Sequence, residues 1–332
     1  MMMNRLHPAL LRMAFLACCV LATALSLVQP AGAQAYPSRP ITLVVSFEPG
    51  GSTDISARAV AQELSVALGQ PVIVDNKPGA GGRIGTKYAA SAKADGYTLL
   101  WGSGSTLTAG PVLYPDQGHV ASLAPVSLGA TQPFVFVTTP ATGAKTLAEF
   151  VALAKRRPGE LNFASAGTGS SNHLLGEILM SVTGIQLVHV PYRGAASAKE
   201  GLLKGDAQLM DEVVSPLIGA LRSNQLVPLF ITGDTRDRLF PSIPTALEVG
   251  LPDLAITGFF GLLAPGGTPP EVLAKLNGAM KTALAAPAVS HAFDNLGFTA
   301  AYSTPEQMQA RITQGKAIYQ RVVSERKIKV AD

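Results

Sequence analysis

Cysteine is almost missing from the 332 residues: Cys18 and Cys19 are the two present, and both fall in an N-terminal stretch that reads as an export leader. Beyond the leader no thiol remains, which excludes disulfides, thiol catalysis and cysteine-ligated metal in the mature chain. Tryptophan occurs once, and charged residues make up only 14% of the chain. The net charge of +4 is small and unclustered, which excludes a dedicated nucleic-acid binder. No two histidines stand at H-x-x-x-H spacing, and there is neither a G-x-S-x-G elbow nor a G-x-x-x-x-G-K-[ST] loop. No metal and no cofactor is therefore expected. Long disordered stretches are also excluded, since 47% of the residues are hydrophobic.

What is present begins with the leader. Arg5 and Arg12 give a basic start with no acid, residues 13–28 are almost wholly apolar, and Ala33 and Ala35 supply small residues for cleavage. The apolar run is shorter than the roughly 20 residues needed to span a bilayer. Residues 1–35 are read as a cleavable signal peptide, and the mature chain as exported to the periplasm. Export removes a dependable supply of nucleotide cofactors.

The mature chain alternates short apolar runs with helical patterns. Residues 41–47 read as a buried strand, residues 52–68 as a helix ending at Gly69, and residues 71–75 and 97–101 as further strands. This β-α-β-α-β order predicts a mainly parallel sheet. Residues 124–140 alternate like a long strand leaving a first lobe, and residues 226–232 read as the return. The expected organisation is a first lobe over 36–128, a second over 129–229, and a return to the first lobe with C-terminal helices over 230–332.

Ligands of parallel sheets bind beyond the carboxyl ends of the strands. Two loops there share one chemistry. Phe47-Glu-Pro-Gly-Gly-Ser-Thr-Asp54 brings Gly51, Ser52, Thr53 and Asp54 to a helix start, where backbone N–H groups, hydroxyls and the helix dipole favour an anion. Gly167-Thr-Gly-Ser-Ser-Asn-His173 repeats this in the second half of the chain with Thr168, Gly169, Ser170, Ser171 and His173. Each loop by itself is equally an N-cap and a turn. Two of them in separate halves point to a ligand held between lobes. His173, in a first helical turn, is read as a neutral hydrogen-bond donor. Arg193, in Pro191-Tyr-Arg-Gly194, is placed to clamp a carboxylate. The glycine-rich loop 76–85 has the spacing G-x-G-x-x-x-G and is read as a tight turn, not a dinucleotide site. Ser170 with His173 is the competing arrangement, an exported serine-type hydrolase; their three-residue separation at a helix start suits capping better than nucleophile activation. Asp211 and Glu212 are adjacent, so on a strand they face opposite ways.

These segments together resemble a known family. Tyr36-Pro-Ser-Arg-Pro-Ile41, Phe47-Glu-Pro-Gly-Gly-Ser-Thr-Asp54, Val74-Asp-Asn-Lys-Pro-Gly-Ala-Gly-Gly82, Gly167-Thr-Gly-Ser-Ser-Asn-His173, Val190-Pro-Tyr-Arg-Gly194 and Gly261-Leu-Leu-Ala-Pro265 stand in the order found in solute receptors of tripartite tricarboxylate transporters, the Bug proteins. The resemblance runs over the whole mature chain. It implies an α/β fold of two lobes, of the type II-like periplasmic-binding-protein kind, closing on a small organic carboxylate. It implies a monomeric receptor without catalytic residues that serves membrane permease subunits. The family's ligand loops map onto residues 47–54 and 168–173.

This chain also departs from the family pattern. Glu48 stands where the family has a small or apolar residue, and Asp211-Glu212 where it has an aromatic residue followed by Asp. Phe259 stands near a usual Trp. Glu48 and Asp211 are expected either at the binding edge, where two acids would oppose a second or third carboxylate, or with Glu48 in solvent and Asp211 capping the following helix; at the edge, their effect is on the ligand. They would favour an amino acid or an amide-bearing monocarboxylate over a di- or tricarboxylate.

Overall fold

The computed structural model describes residues 36–114 and 118–327; the expected leader over 1–35 lies outside them. The strands are β1 (Ile41–Val45), β2 (Val72–Asn76), β3 (Thr98–Ser103), β4 (Leu123–Thr138), β5 (Leu161–Ser165), β6 (Leu187–Pro191), β7 (Leu209–Val213), β8 (Val227–Ile231), β9 (Thr257–Pro265) and β10 (Thr299–Ala300). The longer helices are α1 (Ser52–Leu68), α2 (Arg83–Ala90), α3 (Leu147–Arg156), α4 (Ser171–Thr183), α5 (Ala195–Lys204), α6 (Pro270–Leu284), α7 (Pro287–Leu296) and α8 (Pro305–Glu325).

Strand β1 is an unbroken apolar run because it lies between β2 and β3, parallel to both, with its side chains buried. Helix α1 turns Ala57, Val60, Ala61, Leu64 and Leu68 inward at helical spacing. It stops at Gly69, whose φ of 68° closes the helix in the left-handed region. In the other lobe β5 lies between β6 and β7, again parallel. The β-α-β order thus gives parallel strands at both ends of the sheet. The centre differs: β9 runs antiparallel to β3 and β4, and β4 antiparallel to β7 and β8. These central strands arrive by long connections, so no crossover helix forces them parallel.

One strand joins the lobes. Leu123 to Pro133 of β4 pair with β9, and Phe134 to Thr138 pair with β7 and β8. The change of partner falls at Pro133/Phe134, five residues beyond the expected boundary after 128. After β8 the chain stays with the second lobe: Ile231 bridges Thr245, and Ile243 belongs to the core with Val135, Val137, Met210 and Ile231. Thr257 of β9 is the first strand residue to rejoin the first lobe. The register of β4 shifts at Pro125/Ser127, Leu128/Ala130 and Phe136/Val137, none of them at the crossing, so nothing local in the sequence marks where the strand changes partners. The first-lobe core gathers Val44, Leu100, Leu107, Leu263 and Met308. Helix α8, opened by a reciprocal capping box between Thr304 and Gln307, packs on β4. Gly129 of β4 makes room for the buried Trp101 ring, where a Cβ would lie 2.3 Å from the indole. The indole N–H donates to Ser56 Oγ at 2.9 Å.

Candidate functional site

Several strand ends open onto a narrow cleft between the lobes. The β1–α1 turn contributes Phe47, Gly51, Ser52 and Thr53, and the end of β3 contributes Ser103, Gly104 and Ser105. Asn172 comes from the first turn of α4, Ala195 from α5, and Glu212 and Val213 from the end of β7. Phe134, Phe259 and Phe260 make the apolar wall. Among the described residues no cationic side chain lines the cleft. The start of α1 faces the cleft, and its N-cap Gly51 has no side chain to occupy the first-turn amides.

Asp54 is one residue too far along to face the cleft. Its carboxylate accepts from Gly50 N–H at 3.0 Å, Asn76 Nδ2 at 3.0 Å and Arg58 Nε at 2.9 Å. Burial pushes its pKa up, and these hydrogen bonds outweigh the burial and hold it below the usual value. Its role is to pin the turn that presents Gly51 to Thr53.

The facing acid is Glu212, only 3% exposed. Its carboxylate accepts from Ser52 Oγ across the cleft at 2.9 Å, from Val213 N–H at 2.9 Å and from Asn172 Nδ2 at 3.4 Å. Among the described residues it forms no ion pair. Burial raises its pKa to about 7 against the pull of those donors. Asp211 lies behind the wall, its Oδ2 3.1 Å from Asn172 Nδ2 and its Oδ1 buried without a partner. Burial first, then the nearby Glu212, push its pKa well up. Adjacent strand residues facing opposite ways explain why one of the two acids lines the cleft.

The second expected cradle is mostly closed by its own surroundings. Ser170 Oγ accepts from His173 N–H at 3.2 Å, capping α4. The amide of Ser171 donates to Ser105 Oγ at 3.0 Å, and Ser171 Oγ accepts from Tyr319 at 3.3 Å. His173 Nδ1 accepts from Gly169 N–H at 3.2 Å, leaving Nε2 as the ring's donor in the neutral form. Its ring stacks on His189 at 3.7 Å, and burial, followed by His173, pushes His189 down to about 3. Thr168 and Arg193 line a separate groove, with Gly79, Arg83, Tyr114 and Tyr192.

Contacts across the lobes extend beyond Ser52–Glu212. Glu48 Oε1 accepts from Ser197 N–H at 2.6 Å, so its charge caps the start of α5. Gly81, at φ 61°, abuts Thr168: a Cβ there would lie 2.3 Å from the Thr168 carbonyl oxygen. The glycine-rich loop that opens α2 is thus a lobe-to-lobe seat. Sequence reasoning missed Glu212, Asn172 and Ser103 to Ser105. The strand-end rule applied to β3 would have found the serines, whereas Phe134, Phe259 and Phe260 carry no local signal.

The family model described as tripartite tricarboxylate transporter family receptor matches residues 56–328. The chain belongs to this family. BugT of Bordetella pertussis is 40% identical over 286 residues, 85% of this chain and 88% of that protein. MatC of Rhodopseudomonas palustris with bound malate superposes with a TM-score of 0.83 at 31% identity, covering 87% of this chain and all of that one. A second R. palustris protein with adipate gives 0.84 at 29% identity, covering 89% and 99%. As a member of this receptor family the chain is a solute-binding protein of two lobes and not an enzyme. The Ser170 hydroxyl agrees, being bonded to the His173 backbone amide and not to the ring.

Proposed function

We propose that the mature chain is a periplasmic receptor that captures a small organic carboxylate between its lobes and delivers it to the membrane subunits of a tripartite transporter. The observation that carries this reading is the uncapped start of α1, which brings Gly51, Ser52 and Thr53 to a cleft whose other wall belongs to the second lobe. A carboxylate there accepts first-turn amides and the Thr53 hydroxyl and is stabilised by the helix dipole. The phenylalanines cover the apolar body of the ligand. Closure about the two crossings, near 133/134 and ahead of Thr257, excludes water from the site. The relatives with malate and adipate support the carboxylate, and the sequence of the leader supports export.

Calorimetry with mono- and dicarboxylates of increasing length tests the binding step. Saturable binding at one site, with a smaller radius of gyration in solution scattering, is expected. Failure of every organic acid to bind would sink the reading. Delivery is tested in cells, where loss of this chain should abolish uptake of the acid that binds.

A further inference from the structure

Every donor and charge in the cleft bears on what its far end can accept. The start of α1 offers partial positive charge for one carboxylate. Among the described residues no lysine, arginine or histidine lines the cleft to neutralise a second; Arg311 lies behind the Phe259 ring, in the adjoining groove. Across from Ser52, the side chain with a carboxylate to offer is Glu212, held by the strand-end amide of Val213 and by Asn172. Its Ser52 bond shows that this carboxylate reaches a donor presented from the opposite lobe. Nearby, Ser103 Oγ lines the same cleft, buried and without a hydrogen-bond partner among the described residues, able to donate or accept. Glu48, the other acid near the turn, is bonded to the start of α5.

We propose that Glu212 determines the specificity of the cleft, accepting a hydrogen bond from an uncharged or cationic donor group that a monocarboxylate carries close to the carboxylate held on α1, and selecting it over the dicarboxylate of equal length. This inference rests on the carboxylate reading above and names the ligand class within it. A diacid bound with its first carboxylate on α1 would bring its second toward an acid with no cation to mediate, and one of the two would have to bind a proton. A half-amide of the same length presents an N–H donor in the same place and leaves both acceptors satisfied.

The test uses matched pairs, each diacid with its own half-amide: malonate, succinate, glutarate and adipate against malonamate, succinamate, glutaramate and adipamate. Titrations are run at about pH 8, where a group titrating near 7 is mainly ionised. Wild-type protein should prefer the half-amide of the pair that fits by roughly 10- to 100-fold, the range for a hydrogen bond to a charged group. Glu212→Gln should bring the two members within about threefold or reverse their order. Circular dichroism and a thermal melt establish that the variant is folded; Glu212→Asp, which keeps the charge, should keep the preference as a second check. A wild-type preference for the diacid, or one unmoved in Glu212→Gln, overturns the assignment of Glu212 while the carboxylate reading stands. Binding of neither member of any pair overturns both.

Discussion

Two helix starts carry the same sequence chemistry and meet different fates. Helices α1 and α4 each follow a strand end and a glycine-containing turn, and each opens with serine. At α4 the neighbours have filled the donors: Ser170 Oγ takes the amide of His173, and Ser105 Oγ takes that of Ser171. At α1 the N-cap is glycine, Asp54 is turned back to its own loop, and Ser52 and Thr53 line the cleft. A helix start binds an external anion only where nothing in the chain satisfies it first. What α4 contributes to the cleft is Asn172, which steadies an acid and not an anion cradle.

The largest expected effect lies on that acid. Burial raises Glu212 to about 7 from 4.5. A carboxyl with a raised folded pKa binds its proton more tightly in the folded state, so stability is lost as pH rises from the unfolded value through the folded one. Between about pH 5 and about pH 8, Glu212→Gln should gain stability relative to wild type, by an amount on the order of a few kcal/mol at the upper end. Thermal melts of both proteins across the range check this, and parallel curves would show that the acid is not held as described.

The two cradles separate next by affinity. Thr53→Ala should weaken ligand binding by about 1.5–3 kcal/mol, the worth of a hydrogen bond to a charged group. Ser171→Ala, at the filled cradle, should leave calorimetric affinity within about 0.5 kcal/mol. Equal losses at both positions would erase the distinction between the helices.

Gly81→Ala probes the seat where the loops of the two lobes meet. The new Cβ would strike the Thr168 carbonyl at a positive φ of 61°, strain worth about 1–3 kcal/mol. Apparent affinity should fall by about tenfold, with less compaction of the ligand-bound protein in solution scattering. Unchanged scattering and affinity would mean that this contact plays no part in closure.

The smallest effect is at the α4 cap. Ser170→Ala should cost about 1 kcal/mol of stability in denaturant titration. Ligand affinity should stay near wild type, since the hydroxyl serves the helix and not the cleft.

Much of the fold was legible before any coordinates. The apolar run of β1, the spacing along α1 and its stop at Gly69 follow from local periodicity and stop signals, which need no partner to be read. The crossing in β4 was not legible, because a strand alternates in the same way whichever sheet it joins, and only the registers with β9, β7 and β8 reveal the change at Pro133/Phe134. Phe47, Gly51, Ser52 and Thr53 could be placed at the cleft because the strand-end rule and helix-start chemistry act within a few residues. Arg193 and Thr168 carried the same kind of signal and lie in a different groove. Glu48 was expected at the binding edge or in solvent, and it caps α5 through Ser197.

By itself the sequence determined the family and the alternation of strands and helices, and, as expectations, the export leader and anion binding at the start of α1. These depend on residues close together along the chain or on an ordered set of motifs. Only the tertiary structure decided which of two adjacent acids faces the cleft, which of two helix starts is filled, and where the lobes touch. Those outcomes depend on groups from distant segments, Ser52 with Glu212 and Ser105 with Ser171. A donor's partner is fixed by proximity in space, and the chain order does not record it.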